Sequence, residues 1–189
     1  MNGKKIAIFD LDDTLIFSDA KINIHDSITN DVIVSLTPSQ FTAHKIDHNH
    51  HASFSEFWCE KILGKSKLNK RYFDSLKGYI KRGVETSIVT ARGDKNIVVD
   101  FFKKKNVSIK EPLIYAVCDP ITNFSGNIPE RKKQAVKNII EKGYNNIIFY
   151  DDNLDNLLAV LELSTPEVKI KIIHVVNAKK KTKKGGRTS

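Results

Sequence analysis

The stretch IAIFDLDDTLIFSD, residues 6–19, places four carboxylates directly behind a strand-like apolar run. Asp10 and Asp12 are two residues apart, so in an extended chain their side chains point the same way. Two carboxylates held close together repel each other unless a cation or a proton neutralises them. A site made of such hard oxygen ligands suits Mg²⁺. The alternative is an ordinary acidic turn after a strand, in which Asp13 caps the next segment.

Apolar strand-like segments alternate with amphipathic helical segments along the chain. The predicted strands are KKIAIFD, VETSIVT, LIYAVCD, NNIIFYDD and VKIKIIHVV. The predicted helices cover residues 69–82, 94–105, 130–142 and 154–163. Strands that are apolar throughout and are separated by helices indicate a parallel sheet covered on both faces. The predicted fold class is therefore α/β, with a Rossmann-like parallel sheet flanked by helices.

Three of the predicted strands deliver polar groups at their carboxyl ends. IAIF is followed by Asp10, SIVT ends in Thr90, and IIFY is followed by Asp151 and Asp152. In open α/β sheets, ligands bind beyond the carboxyl ends of the strands. We therefore expect these side chains to meet in one site. The chemistry that needs both a carboxylate nucleophile and a metal is phosphoryl transfer through an aspartyl-phosphate.

The motif DLDDT, residues 10–14, resembles the DxDx[TV] signature of the haloacid dehalogenase (HAD) superfamily. Three later segments resemble the other motifs of that family in the right order, and the chain is similar to small phage-encoded HAD proteins. The resemblance implies the HAD fold, an aspartyl-phosphate mechanism and Mg²⁺ as the cofactor. A purely dehalogenating relative has no need of an acid at the second position, so Asp12 favours a phosphatase.

The resemblance also implies roles for individual residues. Asp10 would be the nucleophile, and Asp12 would be the general acid and base and would bind metal through its backbone carbonyl. Thr90 would bind the phosphoryl group. Arg92, in TARGD just after Thr90, is predicted to reach the phosphate of a substrate, with solvent exposure or an aspartate partner as the alternative.

A lysine near the start of a helix is the family's third motif, and ERKKQAVKNII offers two. Lys132 and Lys133 are both predicted to bind substrate. Lys132 is preferred as the catalytic lysine, which would neutralise the nucleophile and the phosphoryl oxygens. Its spacing to the Ala-Val pair that follows resembles the family pattern KxxAL.

The fourth motif completes the metal site, and YDDNLDNLLAV departs from its GDxxxD form. When the segment is aligned with GDxxxDxxAA, Asp152 matches the first aspartate of the motif and Asn156 matches the second. Read as the family's DD variant, it makes both Asp151 and Asp152 candidates, and a register shift of one adds Asp155. The predicted metal ligands are Asp10, Asp12, Asp151 and Asp152.

The family usually carries its specificity in a cap, and this chain has room for one after the first strand. Between Thr14 and Thr90 lie some 75 residues, more than one turn and one helix require. We predict a core of residues 1–17 and 69–178 and a small cap of residues 18–68. AKINIHD and NDVIVSLT predict paired strands in the cap, followed by short helices in PSQFTAHK and SFSEFWCEKIL.

Two groups of side chains in the predicted cap are candidates for binding a ligand. The segment HKIDHNHH holds four histidines, which are interpreted as solvated loop residues. Zinc binding is the less favoured alternative, because the segment has neither a cysteine partner nor the HExxH spacing. Phe54, Phe57 and Trp58 could stack on a base, but their spacing also fits the buried face of a short helix. Core packing is the preferred interpretation of these aromatic residues.

The formal net charge of +9 is concentrated at the carboxyl terminus. Residues 179–189 carry six lysines and arginines, which leaves 25 basic against 22 acidic residues, or +3, elsewhere. With no apolar residue to bury, this segment is predicted to be a disordered tail. It is either a solubilising terminus or an arm that makes weak contacts with nucleic acid.

The composition favours a cytoplasmic protein. Cys59 and Cys118 are far apart and suggest no disulfide framework, and no apolar run is long enough for a signal peptide or a membrane span. The predicted function is a Mg²⁺-dependent phosphomonoesterase acting on nucleotides or nucleic-acid terminal phosphates. The alternatives are a small-metabolite or phosphoprotein phosphatase and a non-catalytic HAD scaffold that binds nucleic acid or protein. The oligomeric state is left open.

Overall fold

The computed structural model describes residues 3–176, except for the side chains of residues 39 and 42. The predicted tail, residues 179–189, lies outside this range. The strands are β1 (Lys4–Phe9), β2 (Ile16–Phe17), β3 (Ile22–Asp26), β4 (Val32–Leu36), β5 (His50–Ser53), β6 (Lys67–Leu68), β7 (Glu85–Thr90), β8 (Ile114–Ala116), β9 (Tyr144–Asp151) and β10 (Lys169–His174). The helices are α1 (Pro38–Thr42), α2 (Glu60–Lys65), α3 (Lys70–Lys81), α4 (Lys95–Lys104), α5 (Ile128–Glu141) and α6 (Leu154–Leu161). Short 3₁₀ turns cover Ser55–Trp58 and Glu111–Leu113.

A five-stranded parallel sheet forms the centre of the molecule, in the order β10-β9-β1-β7-β8. The chain runs outward from β1 through β7 and β8 and then returns to the other side of β1 with β9 and β10. This is the doubly wound order of Rossmann-like folds. The predicted α/β fold class is confirmed, and all five predicted strands are present. Strand β8 is shorter than its predicted segment, because the chain turns away after Ala116.

Strand β1 is central because it contributes side chains to both faces of the sheet. Ala7 and Phe9 lie in the apolar cluster formed with α3 and α4, and Ile6 and Ile8 lie in the cluster formed with α5 and α6. All four side chains are fully buried. Side chains alternate across a strand, so an apolar residue at every position requires helices on both sides.

A second, antiparallel sheet with the order β4-β3-β5 is formed by residues of the predicted cap. Its small core contains Ile22, Ile24 and Leu36. The segment leaves the main body after β2 and returns at β6, and these two strands pair with each other. The predicted domain division falls at this pair and stays a prediction.

The structure corrects the interpretation of the cap histidines as loop residues. His50 and His51 belong to strand β5, where they lie opposite Asp26 and His25 of β3. His48 is exposed outside this strand. The segment HHAS lacks the apolar alternation by which a half-buried strand is recognised, so its pairing with β3 was not predicted.

No helix within residues 3–176 has the length and the apolar character needed to cross a bilayer.

Two neighbouring leucines of α6 test the assignment of the core. Leu157 is fully buried, whereas Leu158 is 55% exposed. We expect Leu157→Ala to lower the free energy of unfolding by about 2–5 kcal/mol, because it removes buried methyl groups and leaves a cavity. Leu158→Ala should change it by less than about 0.5 kcal/mol. Urea unfolding measures both, and equal losses would contradict the assignment.

Candidate active site

Three neighbouring strands of the central sheet bring polar residues to the same edge. Asp10 follows β1, Thr90 ends β7, and Asp151 ends β9. The backbone N–H of Asp10 donates to the carbonyl of Tyr150 at 2.9 Å, which continues the β1–β9 pairing up to the site. A cavity of about 290 Å³ opens here. Its lining includes Asp10, Asp12, Asp13, Thr90, Lys132 and Asp152.

Lys132 lies between two of the aspartates. Its Nζ donates to Asp10 Oδ1 and to Asp151 Oδ2, each at 2.7 Å, and its side chain is only 2% exposed. Burial by itself lowers the pKa of the Lys132 ammonium, but the Asp10 and Asp151 carboxylates outweigh it and raise that pKa above its usual value. The lysine therefore remains charged and holds the two carboxylates together.

Helix α5 presents Lys132 to the site because of where it begins. Asn127 caps this helix by accepting a hydrogen bond from the backbone N–H of Glu130, and Pro129 occupies its first turn. Capping of this kind fixes the start of a helix. Lys132 then lies in the second turn, on the buried face that also carries Ala135 and Val136.

Asp10, Asp151 and Asp152 offer carboxylate oxygens that all lie within 4.8 Å of one another. Burial raises the pKa of Asp10 well above its usual value, with Lys132 opposing the rise and the other two aspartates adding to it. Burial and the neighbouring Asp151 raise the pKa of Asp152 to about 7. Three acids thus share one lysine, and a divalent cation with a preference for oxygen ligands fits this excess of negative charge.

Residues that follow β9 orient Asp151, the last residue of that strand. Asp151 Oδ1 accepts hydrogen bonds from the backbone N–H of Asn153 at 2.9 Å and from Nδ2 of Asn156 at 3.0 Å. Asn156, which the motif comparison placed on the distal acidic position, therefore contacts Asp151. Asp155 is exposed in the first turn of α6 and lies outside the group of three acids. Asp151 and Asp152 thus lie in the three-acid group with Asn156 beside it, and the choice between the two alignments of this motif stays a prediction.

Asp12 is held by an arginine and lies apart from the three-acid group. Arg92 Nε donates to Asp12 Oδ2 at 2.9 Å, and its Nη2 donates to Asp12 Oδ1 at 2.8 Å. This two-point geometry is the strong form of an arginine–carboxylate pair. The Arg92 side chain is completely buried, and its contact with the phosphate of a substrate stays a prediction. The aspartate partner considered as the alternative is what the structure contains.

Arg92 also connects the core to the cap. Its Nη1 donates to the carbonyl of Phe57 at 3.2 Å, and its Nη2 reaches Ser18 Oγ at 3.4 Å. Phe57 belongs to the 3₁₀ turn of the cap, and Ser18 follows β2. The guanidinium thus joins Asp12, the base of the cap and the cap's 3₁₀ turn in one hydrogen-bonded group.

The structure distinguishes the two candidate lysines. Lys133 Nζ binds Glu162 Oε2 at 2.5 Å on the outer surface of the molecule. Adjacent residues on a helix point about 100° apart, so only one of the two can face the site. The predicted substrate contact of Lys133 is therefore not supported by its position, whereas Lys132 and the fully buried Thr90 line the cavity.

Asp13 is a site residue that the motifs did not single out. It lines the cavity with a backbone φ of 58°, in the left-handed region that aspartate tolerates better than most residues. Burial and the neighbouring Asp12 raise the pKa of Asp13. The only signal in the sequence is the third acid of DLDD, which a cap for the next segment explains equally well.

Comparison with known proteins gives few matches. No protein-family model and no curated protein sequence matches the chain. Among solved structures, the chain is similar to a HAD-superfamily hydrolase from Ehrlichia chaffeensis, with a TM-score of 0.46 and 18% sequence identity. The alignment covers 86% of this chain and 85% of that chain.

Because the acids lie close together, removing the charge of Asp152 should stabilise the protein in the absence of metal. The pKa of Asp152 is about 7 in the folded protein against an ordinary value of 3.8. The folded state therefore binds a proton that the unfolded state has released, and without metal the protein loses stability as the pH rises from about 4 to 7. We expect Asp152→Asn to raise the melting temperature in EDTA at pH 8 by a few degrees. The gain should vanish near pH 4.

Magnesium ions supply the complementary measurement. Mg²⁺ should raise the melting temperature of the wild type at pH 8, because it binds the folded state. The rise should be much smaller in Asp152→Asn, and Asp155→Asn should behave as the wild type. An equal Mg²⁺ response in all three proteins would show that the acids do not form a metal site.

Removal of the Asp12 carboxylate should lower stability, in contrast to the rise expected for Asp152→Asn. Asp12→Ala leaves a fully buried guanidinium without its carboxylate, and we expect a loss of about 3 kcal/mol in the free energy of unfolding. Adding Arg92→Met should recover part of this loss. A double-mutant cycle by urea unfolding measures the coupling. Strictly additive effects would contradict a direct pair.

Proposed function

We propose that the protein is a Mg²⁺-dependent phosphomonoesterase of the HAD type that works through an aspartyl-phosphate on Asp10. The observation that carries this proposal is the buried Lys132 ammonium, which contacts Asp10 and Asp151 at the mouth of a cavity. Burying Asp10, Asp151 and Lys132 together is unfavourable for folding, and function is a common reason for such a cluster. Magnesium held by Asp10, Asp151, Asp152 and the Asp12 backbone carbonyl would supply charge neutralisation for a phosphate dianion.

In the first step, Asp10 attacks the phosphorus of the substrate. Lys132 binds Oδ1 of Asp10, so Oδ2 is the oxygen assigned to the attack. A bond forms between Oδ2 and phosphorus while the bond from phosphorus to the leaving oxygen breaks. Thr90, at the end of β7, is assigned to bind a phosphoryl oxygen, and Lys132 stabilises the negative charge on the transferring group.

Asp12 is assigned to move the protons. In the protonated state, with one oxygen released from Arg92, Asp12 gives its proton to the leaving oxygen. It then takes a proton from the water that attacks phosphorus, and the bond from phosphorus to Asp10 breaks, which releases inorganic phosphate and restores Asp10. Help of this kind typically accelerates a reaction by about 10²–10⁴-fold. Arg92 binds both oxygens of Asp12 and so acts as the residue that positions it.

Nucleotides and nucleic-acid terminal phosphates are the proposed substrates. A small cap, a mildly basic body and the basic residues of 179–189 support this choice, and the tail would add weak contacts with nucleic acid. Small metabolites and phosphoproteins are the alternative substrates. Cys59 and Cys118 are free thiols, in keeping with the cytoplasmic setting that we propose.

Release of inorganic phosphate tests the proposal. The panel contains nucleoside 3′- and 5′-monophosphates, 3′- and 5′-phosphorylated oligonucleotides, a sugar phosphate and a phosphopeptide, each with Mg²⁺ and with EDTA. We expect metal-dependent release that falls by at least about 10³-fold in Asp10→Asn. Lys132→Met should lose activity to a similar extent, whereas its neighbour Lys133→Met should retain it.

The adjacent lysines make this control a close one, because both substitutions remove one positive charge from the same turn of α5. Circular dichroism checks that each variant is folded. Full activity in Asp10→Asn would contradict the mechanism. The binding scaffold would be favoured if no substrate of the panel released phosphate and if the protein bound nucleic acid in a salt-dependent way. This binding should disappear when residues 179–189 are removed.

A further inference from the structure

A larger, apolar cavity adjoins the candidate active site. Its volume is about 610 Å³, within the range of small-molecule sites in proteins. It lies between the cap and the core, and it shares four lining residues with the cavity around Asp10. These shared residues are Pro38, Phe57, Ala91 and Ile128. A molecule whose phosphate lies beside Asp10 can therefore extend directly into the larger cavity.

Four aromatic residues of the cap line this cavity, and we call it the aromatic cleft. They are Phe41, Phe54, Phe57 and Trp58. Phe54 is 45% exposed and Trp58 is 47% exposed. The interpretation of these two side chains as core packing is therefore wrong. Large aromatic side chains that are clustered and exposed to solvent beside a polar site indicate a binding surface.

Contacts with neighbouring residues hold the exposed rings in place. The ring of Phe54 packs edge-on against Phe41, with 5.4 Å between the ring centroids. The indole of Trp58 lies directly on Gly93, where an added Cβ would come within 2.1 Å of two indole atoms. Only glycine permits so close an approach. Gly93 follows Arg92, so the indole rests on the same loop that contacts Asp12.

The polar groups at the cleft are few. Asn127, Arg131 and the thiol of Cys118 lie among its lining residues. Arg131 is partly engaged, because its Nε donates to the carbonyl of Gly126 at 2.8 Å. A surface of this kind offers ring faces for stacking and one positive charge, with little capacity to recognise the hydrogen-bonding edge of a particular base.

We propose that the aromatic cleft binds the base of a nucleoside monophosphate whose phosphate occupies the cavity beside Asp10. This inference rests on the proposed function and names its substrate class. Stacking on aromatic side chains tolerates any base, since every base has a π face. The cleft therefore selects nucleotides over sugar phosphates and favours purines over the smaller pyrimidines, with little discrimination between adenine and guanine.

Trp58 provides a direct readout, because it is the only tryptophan of the chain. Its fluorescence is titrated in the full-length protein with EDTA present, so that binding is observed without turnover. The probes are adenosine, adenosine 5′-monophosphate, ribose 5-phosphate and octyl phosphate, with the signal of free tryptophan amide subtracted. Calorimetry with the same probes gives affinities that do not depend on the fluorophore.

We expect adenosine and its monophosphate to bind and to quench Trp58, and ribose 5-phosphate to leave the signal unchanged. Phe54→Ala should weaken adenosine binding by about 5- to 100-fold. Gly93→Ala should also weaken it, because the added methyl group displaces the indole. Ile28→Ala, which removes an exposed apolar side chain elsewhere in the cap, is the matched control and should bind as the wild type.

The inference and the proposed function fail in different ways. Adenosine binding with no phosphate release from any ester would support the aromatic cleft and contradict the phosphatase. Phosphate release from ribose 5-phosphate and adenosine monophosphate with equal kcat/KM, and unaffected by Phe54→Ala, would overturn the base-binding role while supporting the phosphatase. Octyl phosphate binding as tightly as adenosine monophosphate would also overturn it, since the cleft would then be a general apolar site.

Discussion

The double contact of Lys132 with Asp10 and Asp151 is the interaction on which the rest of the site depends. Without it, two buried carboxylates and one half-buried carboxylate would lie within 4.8 Å of one another with no positive charge between them. The fold makes the contact by joining distant parts of the chain: β1 supplies the first acid, β9 the second, and α5 the lysine. One lysine does not balance three acids, so the cluster keeps an excess of negative charge that a divalent cation would neutralise.

A second buried ion pair, between Asp12 and Arg92, differs from the first in its neighbours. Arg92 also binds the Phe57 carbonyl of the cap, so the proposed proton-transfer residue and the aromatic cleft share one hydrogen-bonded group. Gly93 strengthens this connection, because it follows Arg92 and supports the indole of Trp58.

The sequence predicted the central sheet well, because strands buried on both faces and separated by helices have few other arrangements. The grouping of Asp10, Thr90 and Asp151 at one edge follows from the parallel topology alone. Pairings between distant segments were harder: strand β5 is formed by HHAS, whose residues gain their conformation from β3 and show no apolar alternation. Apolar spacing in SFSEFW likewise does not reveal whether the rings face the core or a cavity. The partners of Arg92 and Lys133 could not be predicted either, because they are distant in sequence and meet these side chains only in the folded chain.

The proposed mechanism requires that Asp10 becomes phosphorylated during turnover, and mass spectrometry detects this phosphorylation. The Asp12→Asn variant is mixed with Mg²⁺ and p-nitrophenyl phosphate, whose leaving group needs no acid, and is quenched in acid. Loss of the residue assigned to activate water should then allow the intermediate to accumulate. Peptide analysis should find one added phosphoryl group on Asp10, and none in the Asp10→Asn/Asp12→Asn double variant. Phosphate release by the wild type without any phosphorylated Asp10 in the quenched variant, or phosphorylation of another residue, would contradict the aspartyl-phosphate mechanism.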